Sequence, residues 1–306
     1  MGFYASHTDD YKELADFFGP AIISHHAQPR SPVHVSDWTV PEGAALDLNA
    51  LGLPSLSCRI RVARNFADLP MPSTMTAEDR RELETRVERI FQSLAQHDGF
   101  EGTYHSLTPG HREELSKDQY LSLQQEHIMF GDMSTDRFLT AAGIASHWPE
   151  GRGCYLSNNR NFIVWVGEED HLRIMVMENT ARLTHVLKRL EIAVNEFEQH
   201  DGGKFAWSDA YGYLTSCPTN LGTAMRASVH LPLPNLVTHN SENEVLEIAK
   251  SLGLTLRGVH GEHSSFGTNG LVDVSPSTRL WVSEGEIVTR LYRGIDKLMK
   301  QEQDYQ

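Results

Sequence analysis

The chain is poor in cysteine and has no long apolar segment. Only three cysteines occur among 306 residues, which makes a disulfide framework improbable and favours a reducing, cytoplasmic setting. No apolar run approaches the roughly 20 residues that cross a bilayer, and the N-terminus lacks the basic and apolar regions of a secretory signal. The sequence therefore predicts a globular protein without a membrane partner.

Positive charge is also scarce. The 27 lysines and arginines face 41 aspartates and glutamates, giving a formal net charge of −14. A general nucleic-acid surface needs net positive potential, so we expect no nucleic-acid partner. Walker A and G-x-G-x-x-G sequences are absent, which argues against P-loop and Rossmann nucleotide sites. Any bound polyanion would have to meet arginines gathered at one place.

Residue periodicity predicts separate helices and neighbouring strands. Strands are expected at 57–65, 161–166 and 172–177, and helices near 76–94, 115–126, 180–198, 242–252 and 283–301. A short helix near 11–18 is expected to end at Gly19 and Pro20, followed by a long loop over 27–56. This pattern indicates an α+β fold with a large, mostly antiparallel sheet flanked by helices.

Arginines form the first group with chemical meaning. They lie in or beside predicted strands, at Arg59, Arg61, Arg173, Arg226 and Arg257. Guanidinium groups bind phosphate oxygens in a bidentate manner and stay charged, so several that converge would hold a polyphosphate. A surface ion pair is the commoner role of any single arginine, but five on strands of so acidic a chain favour the polyphosphate site.

Three consecutive acids, Glu168, Glu169 and Asp170, join two predicted strands. Their mutual repulsion is expected to raise the pKa of at least one carboxyl unless a cation lies nearby. Such a cluster suits Mg²⁺ held through water, or a carboxylate that orients a cationic substrate or accepts its proton. A solvated hairpin turn is the alternative, and these residues alone leave both open.

The segment 213–230 holds a cysteine in an unusual setting. Cys217 follows a strand-like run and precedes Pro218 and Gly222, so we expect it at the point where a strand gives way to a loop. A thiol at a strand end, beside a glycine turn and Arg226, is expected to favour the thiolate. The other two cysteines are expected to be small core residues.

Four blocks of sequence, in order, resemble those of the phosphagen (ATP:guanido phosphotransferase) kinases, and among these the arginine kinases most. The blocks are SCRIR at 57–61, FIVW and EEDHLR within 162–173, CPTNLGT and RASVH within 217–230, and RG, GEH and VDVS within 257–275. The resemblance implies a catalytic domain over 57–306 and, over 1–56, a linker with the remnant of an N-terminal helical region that is otherwise missing. It also implies a lid within 258–270.

The resemblance implies reversible transfer of the γ-phosphoryl group between MgATP and a guanidino nitrogen, with ATP or ADP and Mg²⁺ as cofactors. It assigns the nucleotide to Ser57, Arg59, Arg61, His127, Arg173, Arg226, His230, Arg257 and Asp273. It assigns the guanidino substrate to Tyr4, Glu169, Cys217 and Glu262. The last three of these are catalytic together with Arg226, and Glu169 or Glu262 is the candidate base. Glu168 is a candidate to hold Mg²⁺ through water.

Substrate identity depends mainly on Glu262. Creatine kinases have an apolar residue at this position, so Glu262 favours L-arginine or a close analogue as the small guanidino partner. The chain departs from arginine kinases at His260, where arginine is usual in the lid, and at Ala224, where glycine is common.

A protein-arginine kinase and a noncatalytic structural homologue are the alternative functions. Monomer, dimer and larger assembly all stay open.

Overall fold

An eight-stranded antiparallel sheet organises the computed structural model, which describes residues 2–27, 33–41, 46–200, 203–258, 266–267 and 270–305. The strands are β1 (Leu56–Arg64), β2 (Gly102–Ser106), β3 (Gly153–Ser157), β4 (Phe162–Val166), β5 (Leu172–Thr180), β6 (Trp207–Ser208), β7 (Gly212–Tyr213), β8 (Met225–Pro232), β9 (Leu254–Arg257) and β10 (Leu271–Pro276). Their order in the main sheet is β2-β3-β4-β5-β1-β8-β10-β9, and β6 pairs with β7 separately. The predicted α+β class is confirmed.

Helices flank this sheet, and the largest apolar core lies on one of its faces. In the described residues they are α1 (Asp10–Glu13), α2 (Ala15–His26), α3 (Ala77–Leu94), α4 (Lys117–Gln125), α5 (Arg137–Ala141), α6 (Leu183–Gln199), α7 (Pro234–His239), α8 (Glu242–Ser251) and α9 (Glu284–Asp304). The inward residues of β1, Cys58, Ile60 and Val62, join the apolar faces of α3, α6 and α9 in one core. None of the described helices is both long and apolar enough to span a bilayer.

Helix α3 shows why the periodic segments were predictable. Thr76 accepts a hydrogen bond from the Asp79 backbone, and the Asp79 carboxylate accepts one from the Thr76 backbone, which forms a capping box. The stripe that begins at Leu83 and ends at Leu94 is buried, as its spacing predicts. Local capping and apolar spacing therefore agree with the tertiary packing.

The predicted end of the first helix is wrong. Helix α2 continues through Gly19 and Pro20 to His26. Proline lacks only one backbone donor, and this loss is offset because Phe18 and Ile22 are buried against the rest of the protein. The sequence pattern predicts neither β2 nor β3, each of which is short and begins with glycine.

Candidate active site

The second face of the sheet gathers the predicted arginines. Strand β1 alternates between the core and this face, so Arg59 and Arg61 lie together on it. Pairing with β8 places Arg61 opposite Arg226 and Arg59 opposite Ser228. Residues directly opposite each other share a face. Strand pairing alone therefore brings Arg59, Arg61 and Arg226 together.

Strand β10 extends the same face with a negative charge. Asp273 lies opposite His230 of β8 and opposite Arg257 of β9. The Arg226 guanidinium lies 2.5 Å from an Asp273 carboxylate oxygen, and His230 Nε2 lies 3.9 Å from the other oxygen. The centre of the sheet thus carries a cationic surface with one embedded carboxylate.

A cavity of about 750 Å³ opens over this surface. Its lining includes these predicted site residues: Ser57, Arg59, Arg61, His127, Glu168, Arg226, His230, Arg257 and Asp273. The lining also includes four apolar side chains, Met129, Phe130, Trp165 and Met177. Trp165 and Met177 lie on the same face of the sheet as the arginines, opposite Arg173 and Arg59 in the neighbouring strands. Arg173 lies beside the cavity, because its guanidinium is 2.9 Å from the Glu168 carboxylate that lines it. The cavity therefore combines a charged surface with apolar side chains that suit a flat ring.

Mutual repulsion marks the charged wall as an anion site. Burial, with Arg173 and Arg226 nearby, lowers the pKa of Arg59 to about 10. Burial and the surrounding arginines also lower the pKa of Arg61 well below its usual value. Arg59 Nε is buried and has no hydrogen-bond partner among the described residues. A bound polyanion would relieve this repulsion and supply the acceptor, so the wall fits a polyphosphate.

The acidic connection between β4 and β5 is not a solvated turn. The side chain of Glu168 is 17% exposed, and Asp170 is almost fully buried. Burial, with Glu168 and Asp170 on either side, raises the pKa of Glu169 to about 8. Repulsion within the triplet therefore raises a pKa as predicted, although Arg173 offsets part of it.

Glu169 lies close enough to Cys217 and Tyr4 for their charges to interact. Burial, followed by the charges of Glu169 and Cys217, raises the pKa of the Tyr4 phenol. Asn220 Nδ2 donates to Glu169 Oε1 at 3.0 Å, and the Cys217 Sγ lies 3.0 Å from Thr219 Oγ1. The fold thus brings three of the four predicted guanidino-site residues together.

The expected activation of Cys217 is wrong for the substrate-free protein. Burial and the neighbouring Glu169 carboxylate raise the pKa of its thiol above the ordinary value. The preceding strand is also only two residues long, and Cys217 directly precedes a short 3-10 helix, Pro218–Asn220. A thiol therefore stands here unless a cation binds beside it. Cys58 and Cys154 are fully buried core residues, as predicted.

Sequence reasoning missed Arg279. Its guanidinium donates to Asn220 Oδ1 at 2.6 Å, so it supports the amide that holds Glu169. Burial and three other arginines, Arg226, Arg257 and Arg173, lower its pKa to about 10. Arg279 follows β10 in a stretch without periodicity, and only the loop geometry brings it to the site.

Glu262, His260 and most of the predicted lid lie outside the described residues, so their placement stays a prediction. Among the described residues, no group of three His, Cys, Asp or Glu side chains could hold a metal ion. Glu168 is a single carboxylate at the cavity edge and is already paired with Arg173. The donor set fits a metal bound through water and through the ligand's own oxygens, and not a protein cage.

Known proteins share this sequence pattern and this fold. The family pattern of the ATP:guanido phosphotransferase, C-terminal catalytic domain, matches residues 82–305. Arginine kinase Oct f 2 from Amphioctopus fangsiao is 35% identical over 304 residues, covering 99% of the chain and 83% of that protein. An arginine kinase from Liolophura japonica is 34% identical, with 99% and 82% covered.

Solved structures of guanidino kinases share this fold. The substrate-free duplicated taurocyamine kinase from Schistosoma mansoni superposes with a TM-score of 0.84 at 33% identity, covering 98% of the chain and 41% of that protein. A lombricine kinase structure gives a TM-score of 0.84 at 28% identity, with 98% and 80% covered. Fold and site thus define a guanidino kinase catalytic domain. The chain belongs to the ATP:guanido phosphotransferase family.

Proposed function

We propose that the chain catalyses reversible phosphoryl transfer from MgATP to the guanidino group of L-arginine or a close analogue. The observation that carries this proposal is the arrangement of five strand-borne arginines beside Glu169 and Cys217. Phosphoryl transfer needs alignment and charge neutralisation more than covalent chemistry, and these residues supply both. The apolar side chains that line the cavity with His127 suit the nucleotide base, and the arginines suit its phosphates.

The substrate side follows from the charges. A guanidinium cation between Glu169 and Cys217 would offset the burial of the carboxylate and lower the pKa of the thiol. Glu169 then holds one edge of the planar group and is placed to take the proton that the attacking nitrogen loses. Bound Mg²⁺ would supply neutralisation of the phosphate charge, with Glu168 reaching it through water.

A coupled assay of ADP formation tests this proposal with three acceptors: free L-arginine, taurocyamine and an arginine-rich protein. We expect turnover with L-arginine that exceeds turnover with the other two. Turnover with the protein alone would make it a protein-arginine kinase. Binding of ATP without turnover of any acceptor would contradict an enzymatic role.

The pH dependence of kcat/KM for the acceptor should report Glu169. Its pKa is about 8 in the substrate-free protein, so the carboxylate is mostly protonated at pH 7 and unable to accept a proton. Because kcat/KM reports the free enzyme, it should rise with pH and level off above about pH 8. A profile that is flat between about pH 6 and 9, on both sides of the Glu169 pKa of about 8, would show that Glu169 does not limit the reaction.

Replacing Cys217 should affect the acceptor and not the nucleotide. Cys217→Ala is expected to lower kcat by about 10- to 100-fold and to raise the acceptor KM, because one contact with the guanidinium is lost. Cys217→Ser keeps a polar contact with Thr219 and should lose less. Isothermal titration with ADP should give wild-type affinity for both variants. A large loss of ADP affinity would instead place Cys217 on the nucleotide side.

A further inference from the structure

Asn65 lies directly after β1 at a junction of three segments. Its side chain is 1% exposed and uses both its donor and acceptor groups. The Nδ2 group donates to Asp170 Oδ1 at 2.7 Å and to the Leu214 carbonyl at 3.1 Å. The Oδ1 atom accepts from the His171 backbone at 2.8 Å. Asn65 therefore joins the end of β1 to the acidic connection and to the segment before Cys217.

Asp170 connects Asn65 to the segments that carry Glu169 and Cys217. The Oδ1 atom that accepts from Asn65 also accepts from the Ser216 backbone N–H at 2.7 Å. Asp170 follows Glu169 in the chain, and Ser216 precedes Cys217. One buried carboxylate oxygen thus links the neighbours of the two side chains that face the acceptor, and Asn65 orients that oxygen.

His171 holds the connection between β4 and β5 to the segment that follows β1. Its Nδ1 accepts from the Phe66 backbone at 3.0 Å, and its Nε2 donates to the Pro70 carbonyl at 2.8 Å. Burial lowers the pKa of His171 to about 4, so the ring stays neutral and keeps this tautomer at physiological pH. The connection that carries Glu169 is consequently fixed to residues 65–70 at two points.

We propose that Asn65 is a positioning residue that sets the separation of Glu169 and Cys217, and thereby governs acceptor binding and transfer without contacting either substrate. This inference rests on the proposed function of Glu169 and Cys217. Asn65 is absent from the lining of the nucleotide cavity. Its side-chain hydrogen bonds reach the segments that carry Glu169 and Cys217, so we expect its effect on the acceptor side.

The test compares Asn65→Leu, which has a similar shape and no donors, with Asn65→Asp, which keeps the acceptor for the His171 backbone. Both should raise the acceptor KM and lower kcat, each by about tenfold, with the ADP dissociation constant within about twofold of wild type. Asn240→Leu is the control, since Asn240 donates to the Leu236 carbonyl at the end of α7 and does not line the cavity.

Alkylation of Cys217 by iodoacetamide, followed by peptide mass spectrometry, tests the inference independently of turnover. Cys58 and Cys154 are fully buried, so the reaction at Cys217 can be followed separately. We expect the alkylation rate to change by at least about fivefold in Asn65→Leu and not in Asn240→Leu. If wild type phosphorylates no acceptor, the proposed function fails while this measurement still decides the role of Asn65.

Wild-type kinetics and alkylation in a folded Asn65→Leu protein of reduced stability would overturn the inference and leave Asn65 a structural residue. If Asn65→Leu does not fold, Asn65→Asp carries the same test. Unchanged acceptor constants and alkylation in that variant would equally overturn it. A parallel loss of ADP affinity would overturn it as well, because the effect would not be confined to the acceptor side.

Discussion

Glu169→Gln is expected to lower kcat by about a thousandfold, the largest loss on the acceptor side of the site. Glutamine keeps the shape of the side chain and the contact with Asn220, but it neither accepts a proton nor pairs with a guanidinium charge. The ADP dissociation constant should stay within about threefold of wild type, because the arginine wall is untouched. Initial-rate kinetics and ADP titration together measure both quantities.

The same substitution should change how stability depends on pH. The pKa of Glu169 is raised from near 4.5 to about 8 on folding, so the native state keeps a proton that the unfolded chain releases. Its contribution to stability is complete below about pH 4.5 and is lost as the pH rises through 8. Glu169→Gln should remove this fall, and the substrate-free variant should be the more stable protein at pH 9 in urea unfolding.

Glu302→Gln is the matched control for a buried carboxylate. Glu302 is buried and accepts from the Asn235 and Leu236 backbones at the start of α7, each at 2.8 Å. Its replacement should cost about 1–2 kcal/mol of unfolding free energy and leave kcat unchanged. A similar kcat loss in both variants would mean that Glu169 acts through stability and not through chemistry.

Arg226→Ala is expected to raise the dissociation constants of ATP and ADP by at least about a hundredfold, or roughly 3 kcal/mol. The substitution removes a planar cation from the centre of the arginine wall and leaves Asp273 to repel the incoming phosphates. Arg226→Lys keeps the charge without the bidentate geometry, so its loss should be smaller. Fluorescent nucleotide titration at constant ionic strength measures each variant.

Arg189→Ala separates this effect from general destabilisation. The Arg189 side chain is 13% exposed and paired with Glu178, and that of Arg226 is 12% exposed and paired with Asp273. Arg189 is not part of the cavity lining. Its replacement should lower stability and leave nucleotide affinity unchanged. Equal affinities for Arg226→Ala and wild type would refute the polyphosphate role of the wall.

The sequence predicts the nucleotide half of the site better than the acceptor half, and strand geometry explains the difference. Alternation over 57–65 is enough to place Arg59 and Arg61 on one face, and β8 then adds Arg226 by simple pairing. Cys217 and Arg279 depend instead on loop conformation. The protonation of Cys217 in particular depends on burial and on Glu169, neither of which local sequence encodes.

The first helix illustrates the same limit. Gly19 and Pro20 are strong local signals for a helix end, yet α2 continues because its apolar residues pack elsewhere in the protein. His26 at its last turn donates to the Pro218 carbonyl at 2.9 Å, next to Cys217. Contacts between residues 192 positions apart thus decide what local propensity leaves open.

The central position of β1 in the sheet has a consequence for partial unfolding. β1 is flanked by β5 and β8, so we expect its amide hydrogens to exchange only when most of the sheet opens and the arginines it carries to belong to the most stable cooperative unit. Tyr4 and Cys217 lie outside the strands and should be released in a smaller opening. At intermediate denaturant concentrations the protein should therefore still bind nucleotide after it has lost the ability to hold an acceptor.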